Sequence, residues 1–333
     1  MNRTNILTLI GSILLCLFAL ELFFSTVEPN SPPGTTYGKQ VHTNSVGFRD
    51  RDFQIPKPLS GYRILVLGDS FTWGVGLEIE QTVSKNLERR LNERSSRRIE
   101  VLNASVPGTN TVQQLTLLKS KGLTYQPDLI LLTYNLNDIN FIGSLAPKVY
   151  DQAAVPVVEL HPGEDITKFS ENRGLRGFIL KIETHSALVR FLVPRVGTLL
   201  RQLGLVNSVE FSWVAKIFQG FVDDNPGWVE SKRALHEMSE VAKKRDIDLV
   251  VAIYPLLVEL EDYKGTRAHM TIRNYCKSIQ LHCIDLLGLF ENTKARSYWI
   301  NYADSHPNAK AHQLVAEFLI PAIDPYIKER KPH

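Results

Sequence analysis

The chain has 333 residues, 44% of them hydrophobic and 22% charged, a globular composition with ample apolar material for a core. A net charge of +3 excludes the basic excess of a nucleic-acid binder, and the densest basic stretch, Arg89 to Arg98, is interleaved with acids as a solvated helix face is. Three cysteines with no Cys-x-x-Cys, and no His-Glu-x-x-His, exclude the common zinc frameworks, so neither metal nor organic cofactor is expected.

Arg3 precedes an uncharged, mostly apolar run from Ile6 to Leu20, and Glu21 is followed by Leu22-Phe23-Phe24. As a helix, Ile6 to Val27 would reach about 33 Å, enough to cross a bilayer. The alternatives are a cleaved signal peptide and a buried core helix. No clean small-x-small site follows the run, Leu15 before Cys16 argues against a lipoprotein signal, and a core helix would carry polar residues at helical spacing. Residues 1–27 are therefore expected to be an uncleaved signal anchor. Arg3 then places the rest of the chain on the exported side, periplasmic or extracellular. Residues 28–60, rich in Pro, Gly, Asn and Ser, read as a linker or surface wrap.

Ile64-Leu65-Val66-Leu67, between Gly61 and Gly68, suits a buried parallel strand. A helix follows over Ile79–Glu93, with Val83, Leu87 and Leu91 on one face. A strand over Ile99–Leu102, a helix over Val112–Gly122 and a strongly apolar strand over Leu129–Tyr134 continue the alternation. After a break the rhythm resumes, with helices over Trp228–Arg245 and Met270–Gln280 and strands over Leu249–Ile253 and Cys283–Leu286. A closing helix spans Asn308–Leu319. Such alternation argues for a parallel sheet with helices on both faces. Residues 141–225, with Pro147, Pro156, Pro162 and helix-like stretches, read as a helical insertion above the carboxyl edge of the sheet, there to shape an acyl or sugar pocket. Cys276 and Cys283 could bridge a helix end to the next strand; the simpler reading is two buried free thiols.

Four blocks carry potential chemistry. Gly68-Asp69-Ser70-Phe71 follows the first strand, Pro107-Gly108 the second and Asn135-Leu136-Asn137-Asp138 the third. Asp304-Ser305-His306-Pro307-Asn308 follows the last and opens the closing helix. Ligands of a doubly wound sheet bind outside the carboxyl ends of its strands, so the four can converge there. Taken singly, Ser70 is a good helix N-cap, Gly108 a turn glycine, Asn137-Asp138 a cap, and His306 an exposed residue before a proline at the first helical position.

Taken together in this order, the blocks resemble those of the GDSL/SGNH hydrolases over roughly residues 61–140 and 301–320. The resemblance implies a three-layer α/β/α, flavodoxin-like parallel sheet, here as a domain over 61–325 with the insertion. It also implies Ser70 as nucleophile, His306 as general base, Asp304 as its orienting acid, and an oxyanion hole from the Ser70 and Gly108 backbone N–H groups and the Asn137 amide. Two positions depart from the family pattern. Asn135 stands where the third block usually has glycine, and Ala303 stands at the usual acid position of an Asp-x-x-His block, leaving Asp304 in an Asp-x-His spacing that is similar to some polysaccharide O-acetyltransferases of this fold. The implied function is a serine esterase acting on acyl esters of a glycan or lipid. The alternatives are an O-acyltransferase modifying an exported polysaccharide and a catalytically inactive glycan-binding protein. One more stretch, Asn44 to Asp50, resembles a segment that precedes the first block in many exported bacterial members. Arg49 there could contact an acidic or sugar ligand; the nearer expectation is a pair with Asp50 or Asp52 that pins the wrap to the domain.

Overall fold

The computed structural model describes residues 11–12, 15–23, 35–36, 39–139, 186, 188, 209–301 and 304–329. The chain divides into two compact units, residues 34–169 with 213–333, and residues 1–33 with 170–212. The expected insertion lies outside the described residues except for Ser186, Leu188 and the stretch from Val209 onward.

The larger unit is built on five strands: β1 (Tyr62–Leu67), β2 (Ile99–Asn103), β3 (Leu129–Asn135), β4 (Asp248–Tyr254) and β5 (His282–Asp285). They pair in the order β2-β1-β3-β4-β5, every pair parallel. The helices are α1 (Ser70–Trp73), α2 (Val83–Asn92), α3 (Thr111–Ser120), α4 (Val209–Gln219), α5 (Pro226–Lys243), α6 (Thr266–Ser278), α7 (Leu287–Phe290) and α8 (Ala309–Glu329). On one face α2 packs with α8. On the other α3 packs with α5, and Tyr275 of α6 joins them by donating to the Lys232 carbonyl at 2.7 Å. Helices on both faces leave no wet side to the central strands, which is why Ile64 to Leu67 and Leu129 to Leu132 are all fully buried and read as unbroken apolar runs. The resulting three-layer α/β/α architecture is the expected one. The chain leaves β1 in one direction to form β2 and returns across it to form β3. That reversal opens the crevice in which doubly wound folds place their ligands.

Several local expectations are corrected. The helix expected over Ile79–Glu93 is split: Thr82 Oγ1 donates to the Ile79 carbonyl at 2.7 Å, ending a 3-10 turn, and its side chain caps α2. The closing helix does not stop before Pro321 but runs through Pro321 and Pro325 to Glu329, because Ile320, Ile323 and Ile327 are buried and the packing outweighs the lost backbone bonds. Cys276 and Cys283 are not free thiols; they form a disulfide across the α6–β5 turn, which brings their Cα atoms to 6.1 Å. His306 does not open α8 directly but sits on a short antiparallel hairpin, β6 (Trp299–Asn301) with β7 (Asp304–Pro307).

Candidate active site

The turn after β1 is fixed from below. A β-carbon at Gly68 would stand 2.1 Å from Thr133 Oγ1, so only glycine lets β1 leave the sheet here. Thr133 Oγ1 donates to the Leu67 carbonyl at 2.9 Å and accepts from Thr72 Oγ1, fastening the first turn of α1 to β3. Asp69 caps that turn, its carboxylate accepting from the Phe71 N–H at 2.9 Å. Ser70 is thereby the first residue of α1, half-buried at the carboxyl edge of the sheet.

The second half of the site arrives 236 positions later on β7. Asn308 fixes the hairpin to α8: its side-chain amide donates to the Ser297 and Trp299 carbonyls at 3.0 and 3.1 Å, and its carbonyl accepts from the Ala311 N–H at 3.1 Å. Residues i and i+2 of a strand share a face, so Asp304 and His306 point the same way. His306 Nδ1 lies 2.6 Å from Asp304 Oδ1, and His306 Nε2 lies 2.9 Å from Ser70 Oγ. The displaced acid therefore reaches the imidazole because β7 is a strand; on a helix the same spacing would point it elsewhere. Ala303, at the usual acid position, lies outside the described residues. Phe71 packs edge-on against the imidazole, with ring centroids 5.6 Å apart, and is itself backed by Tyr254 at 5.4 Å.

Burial pushes the His306 imidazole down, but the Asp304 hydrogen bond and charge, with the nearby Asp69 charge, outweigh it and hold it above the ordinary 6.5. The Asp69 carboxyl is pushed up by burial, against the Phe71 N–H bond, the His306 charge and the Asn137 and Asn135 amides. Asp138 lies well above the usual carboxylate range through burial and the Asp69 charge, with Gln114 Nε2 donating to it at 3.2 Å. The sequence reading missed this buried carboxylate pair beneath the nucleophile, although both acids belong to the blocks it singled out.

Gly108 is exposed in a left-handed conformation, φ +74°, with open space where a side chain would stand. Asn137 is half-buried beyond the end of β3, beside Asp69. Ser70, Asp304 and His306 are thus joined in one hydrogen-bonded chain, and Gly108 and Asn137 follow the two strands that flank the Ser70 strand. Such a chain can move a proton from a hydroxyl to an imidazole whose second nitrogen is held by a carboxylate.

The expected partners of Arg49 are a correction. Arg49 pairs with neither Asp50 nor Asp52: Asp50 takes Lys85 Nζ at 2.7 Å, and Asp52 accepts from Ser45 Oγ at 2.6 Å. The guanidinium is fully buried, out of reach of an acidic or sugar ligand arriving from solvent. It turns inward to donate to the Trp73, Gly74 and Leu77 carbonyls, which follow the end of α1 where backbone acceptors run short of backbone donors.

The sequence pattern of the GDSL-like Lipase/Acylhydrolase family matches residues 66–314, most of the chain. No curated protein matches. Among solved structures, TesA shares 13% identity at a TM-score of 0.47, over 79% of this chain and 99% of that one. The esterase EstA from Pseudoalteromonas sp. shares 16% identity at 0.44, over 80% and 98%. A two-domain esterase active on acetylated mannans shares 11% at 0.45, over 80% of this chain and 49% of that one. At such identities and scores these likenesses carry nothing about substrate.

Proposed function

The chain belongs to the GDSL-like lipase/acylhydrolase family of ester-hydrolysing enzymes, and we propose that it cleaves acyl esters through an acyl-enzyme on Ser70. The observation that carries the reading is the unbroken run of contacts from Asp304 Oδ1 through His306 to Ser70 Oγ, at 2.6 and 2.9 Å. His306 Nε2 takes the hydroxyl proton as Oγ attacks the ester carbonyl, and Asp304 holds the Nδ1–H and the charge that forms on the ring. The oxyanion meets the Ser70 and Gly108 backbone N–H groups and the Asn137 amide. Asp69 beside Asn137 orients that amide, one hydrogen toward the carboxylate and the other toward the substrate oxygen. The imidazolium then protonates the leaving alcohol. In the second half His306 takes a proton from water as its oxygen attacks the acyl carbonyl, then returns that proton to the departing Ser70 Oγ, releasing the acid and restoring the free serine. Hydrolysis is preferred to transfer because the matching family is one of acylhydrolases.

Ser70→Ala lowers turnover of p-nitrophenyl esters by about three or more orders of magnitude with the fold intact. A fluorophosphonate labels Ser70 in the native chain and not in the variant. Retention of most of the activity or labelling by the alanine variant would sink the reading. A panel of short and long p-nitrophenyl esters with acetylated sugars assigns the acyl group and the alcohol.

A further inference from the structure

The nucleophile rides on a helix of one turn, Ser70–Trp73, too short to hold its shape by its own hydrogen bonds. Its amino end is capped by Asp69; its carboxyl end stops at Gly74, φ +89°, and exposes carbonyls that must find donors inside the protein. Arg49 supplies them. Its Nη1 donates to the Trp73 carbonyl at 3.0 Å and to the Gly74 carbonyl, and its Nη2 donates to the Leu77 carbonyl. The guanidinium also lies over the Trp73 ring, 4.4 Å from its centroid. No carboxylate lies within ion-pair distance of Arg49 among the described residues; burial lowers its pKa to about 10, against the Glu78 charge, which raises it. Burying a cation costs desolvation; the Glu78 charge and the Trp73 ring offset part of it, and the hydrogen bonds to the Trp73, Gly74 and Leu77 carbonyls fix the geometry at the end of α1.

The segment that carries Arg49 is itself rigid. Asn44 Oδ1 accepts from the Val46 and Phe48 N–H groups at 3.2 and 2.9 Å, and Gly47 at φ +91° turns the chain so that Phe48 and Arg49 point into the protein. The next residue reaches the neighbouring strand: Asp50 Oδ2 accepts from the Asn103 N–H at 2.9 Å, at the end of β2, from which the loop to Gly108 departs. One strap thus grips the base of the Ser70 turn with Arg49 and the root of the Gly108 loop with Asp50. Resting on the reading of Ser70 as nucleophile, we propose that Arg49 is a positioning residue for catalysis: by clamping the carboxyl end of α1 it sets Ser70 Oγ against His306 Nε2 and the Ser70 N–H toward the oxyanion, while touching neither substrate nor reacting atoms.

The test compares Arg49→Ala, Arg49→Lys and the strap-surface control Arg51→Ala in the full chain, well below each melting midpoint. It measures kcat and KM on p-nitrophenyl acetate and the rate of fluorophosphonate labelling, with the labelled peptide identified. Arg49→Ala lowers kcat and the labelling rate by about 100-fold, as expected of a nucleophile displaced by about an ångström, while KM changes little. Arg49→Lys, which keeps the charge but cannot span three carbonyls, falls in between, and millimolar guanidinium raises the labelling rate of Arg49→Ala toward the lysine variant. Arg51→Ala keeps wild-type kcat. If Arg49→Ala does not fold, Arg49→Lys decides: a wild-type kcat and labelling rate there would overturn the proposal, as would rates within threefold of wild type in a folded Arg49→Ala. Labelling at a residue other than Ser70 in the native chain would instead overturn the reading of the site.

Discussion

A histidine whose neighbours raise its pKa is a stronger base when neutral, but it is neutral over less of the pH range. For His306 burial works to lower the pKa, while Asp304, by hydrogen bond and charge, and the Asp69 charge outweigh it. Activity needs the neutral ring, so kcat/KM in the native chain rises with pH through a midpoint above 6.5. Asp304→Asn removes the largest raising influence and leaves burial in place, so the midpoint moves to lower pH. The same change unhooks the imidazole from its orienting partner and lowers kcat/KM at the plateau by about two to four orders of magnitude. pH–rate profiles of the two chains measure both effects; superimposable profiles would remove Asp304 from the mechanism and leave a Ser–His pair. At this scale the sequence was informative where position constrains chemistry. Ser70, Gly108 and Asn137 each follow an apolar strand, and His306 lies in a block of its own, so their convergence followed from the fold class. Arg49 was not legible, because its partners Trp73, Gly74 and Leu77 lie 24 to 28 positions away and only the fold decides which carbonyls a guanidinium meets.

Among the elements, the strands were the most legible, since burial on both faces leaves an apolar run that helices of mixed polarity do not imitate. The hairpin β6–β7 was missed because three- and four-residue strands carry too little periodicity to register. The end of α8 was misplaced because proline rules assume an exposed helix, whereas this one is held by its buried face. The same helix carries a pH-sensitive contact. His312 is buried with Nδ1 accepting from the Val83 N–H at 2.9 Å, which joins α8 to the start of α2. Burial, with the Arg49 and His306 charges, lowers its pKa to about 3. In the unfolded chain this group binds a proton below its ordinary 6.5, whereas the folded chain refuses it until about 3, so stability is lost as pH falls through that window. His312→Asn keeps an acceptor for Val83 and removes the titration, so its melting temperature falls less steeply between neutral and mildly acidic pH than that of the native chain. Parallel slopes in the two chains would show that other groups carry the acid sensitivity.

For the molecule as a whole, two features bear on where it works. The Cys276–Cys283 disulfide closes a separation of seven residues, which by chain entropy contributes about 2.5 kcal/mol, and bonds of this kind persist in oxidising compartments. The second feature is the amino-terminal segment. In the helical residues 15–23, Leu15, Leu17, Phe18, Leu22 and Phe23 stay exposed, while Glu21 accepts from Ser186 Oγ at 2.7 Å and from the Leu188 N–H at 3.2 Å within the smaller unit. Among the described residues no helix is long and apolar enough to cross a membrane, and residues 1–10, 13–14 and 24–30 lie outside them. Apolar side chains left this exposed are unfavourable in water, and their transfer to a bilayer or its interface lowers the free energy. We propose that residues 1–27 anchor the protein and that the larger unit acts on the exported side. The full chain then sediments with membranes and resists high salt, because apolar burial is not screened as charge is. A chain starting at Thr36 stays in the supernatant and, since Ser70, Asp304, His306 and the Asn44–Phe53 strap all lie in the larger unit, keeps its turnover number on p-nitrophenyl acetate. Recovery of the full-length protein as a soluble species whose mature terminus follows Ser25 or Val27 would replace the anchor with a cleaved signal. Loss of turnover in the shortened chain would instead give the amino-terminal segment a part in the site itself.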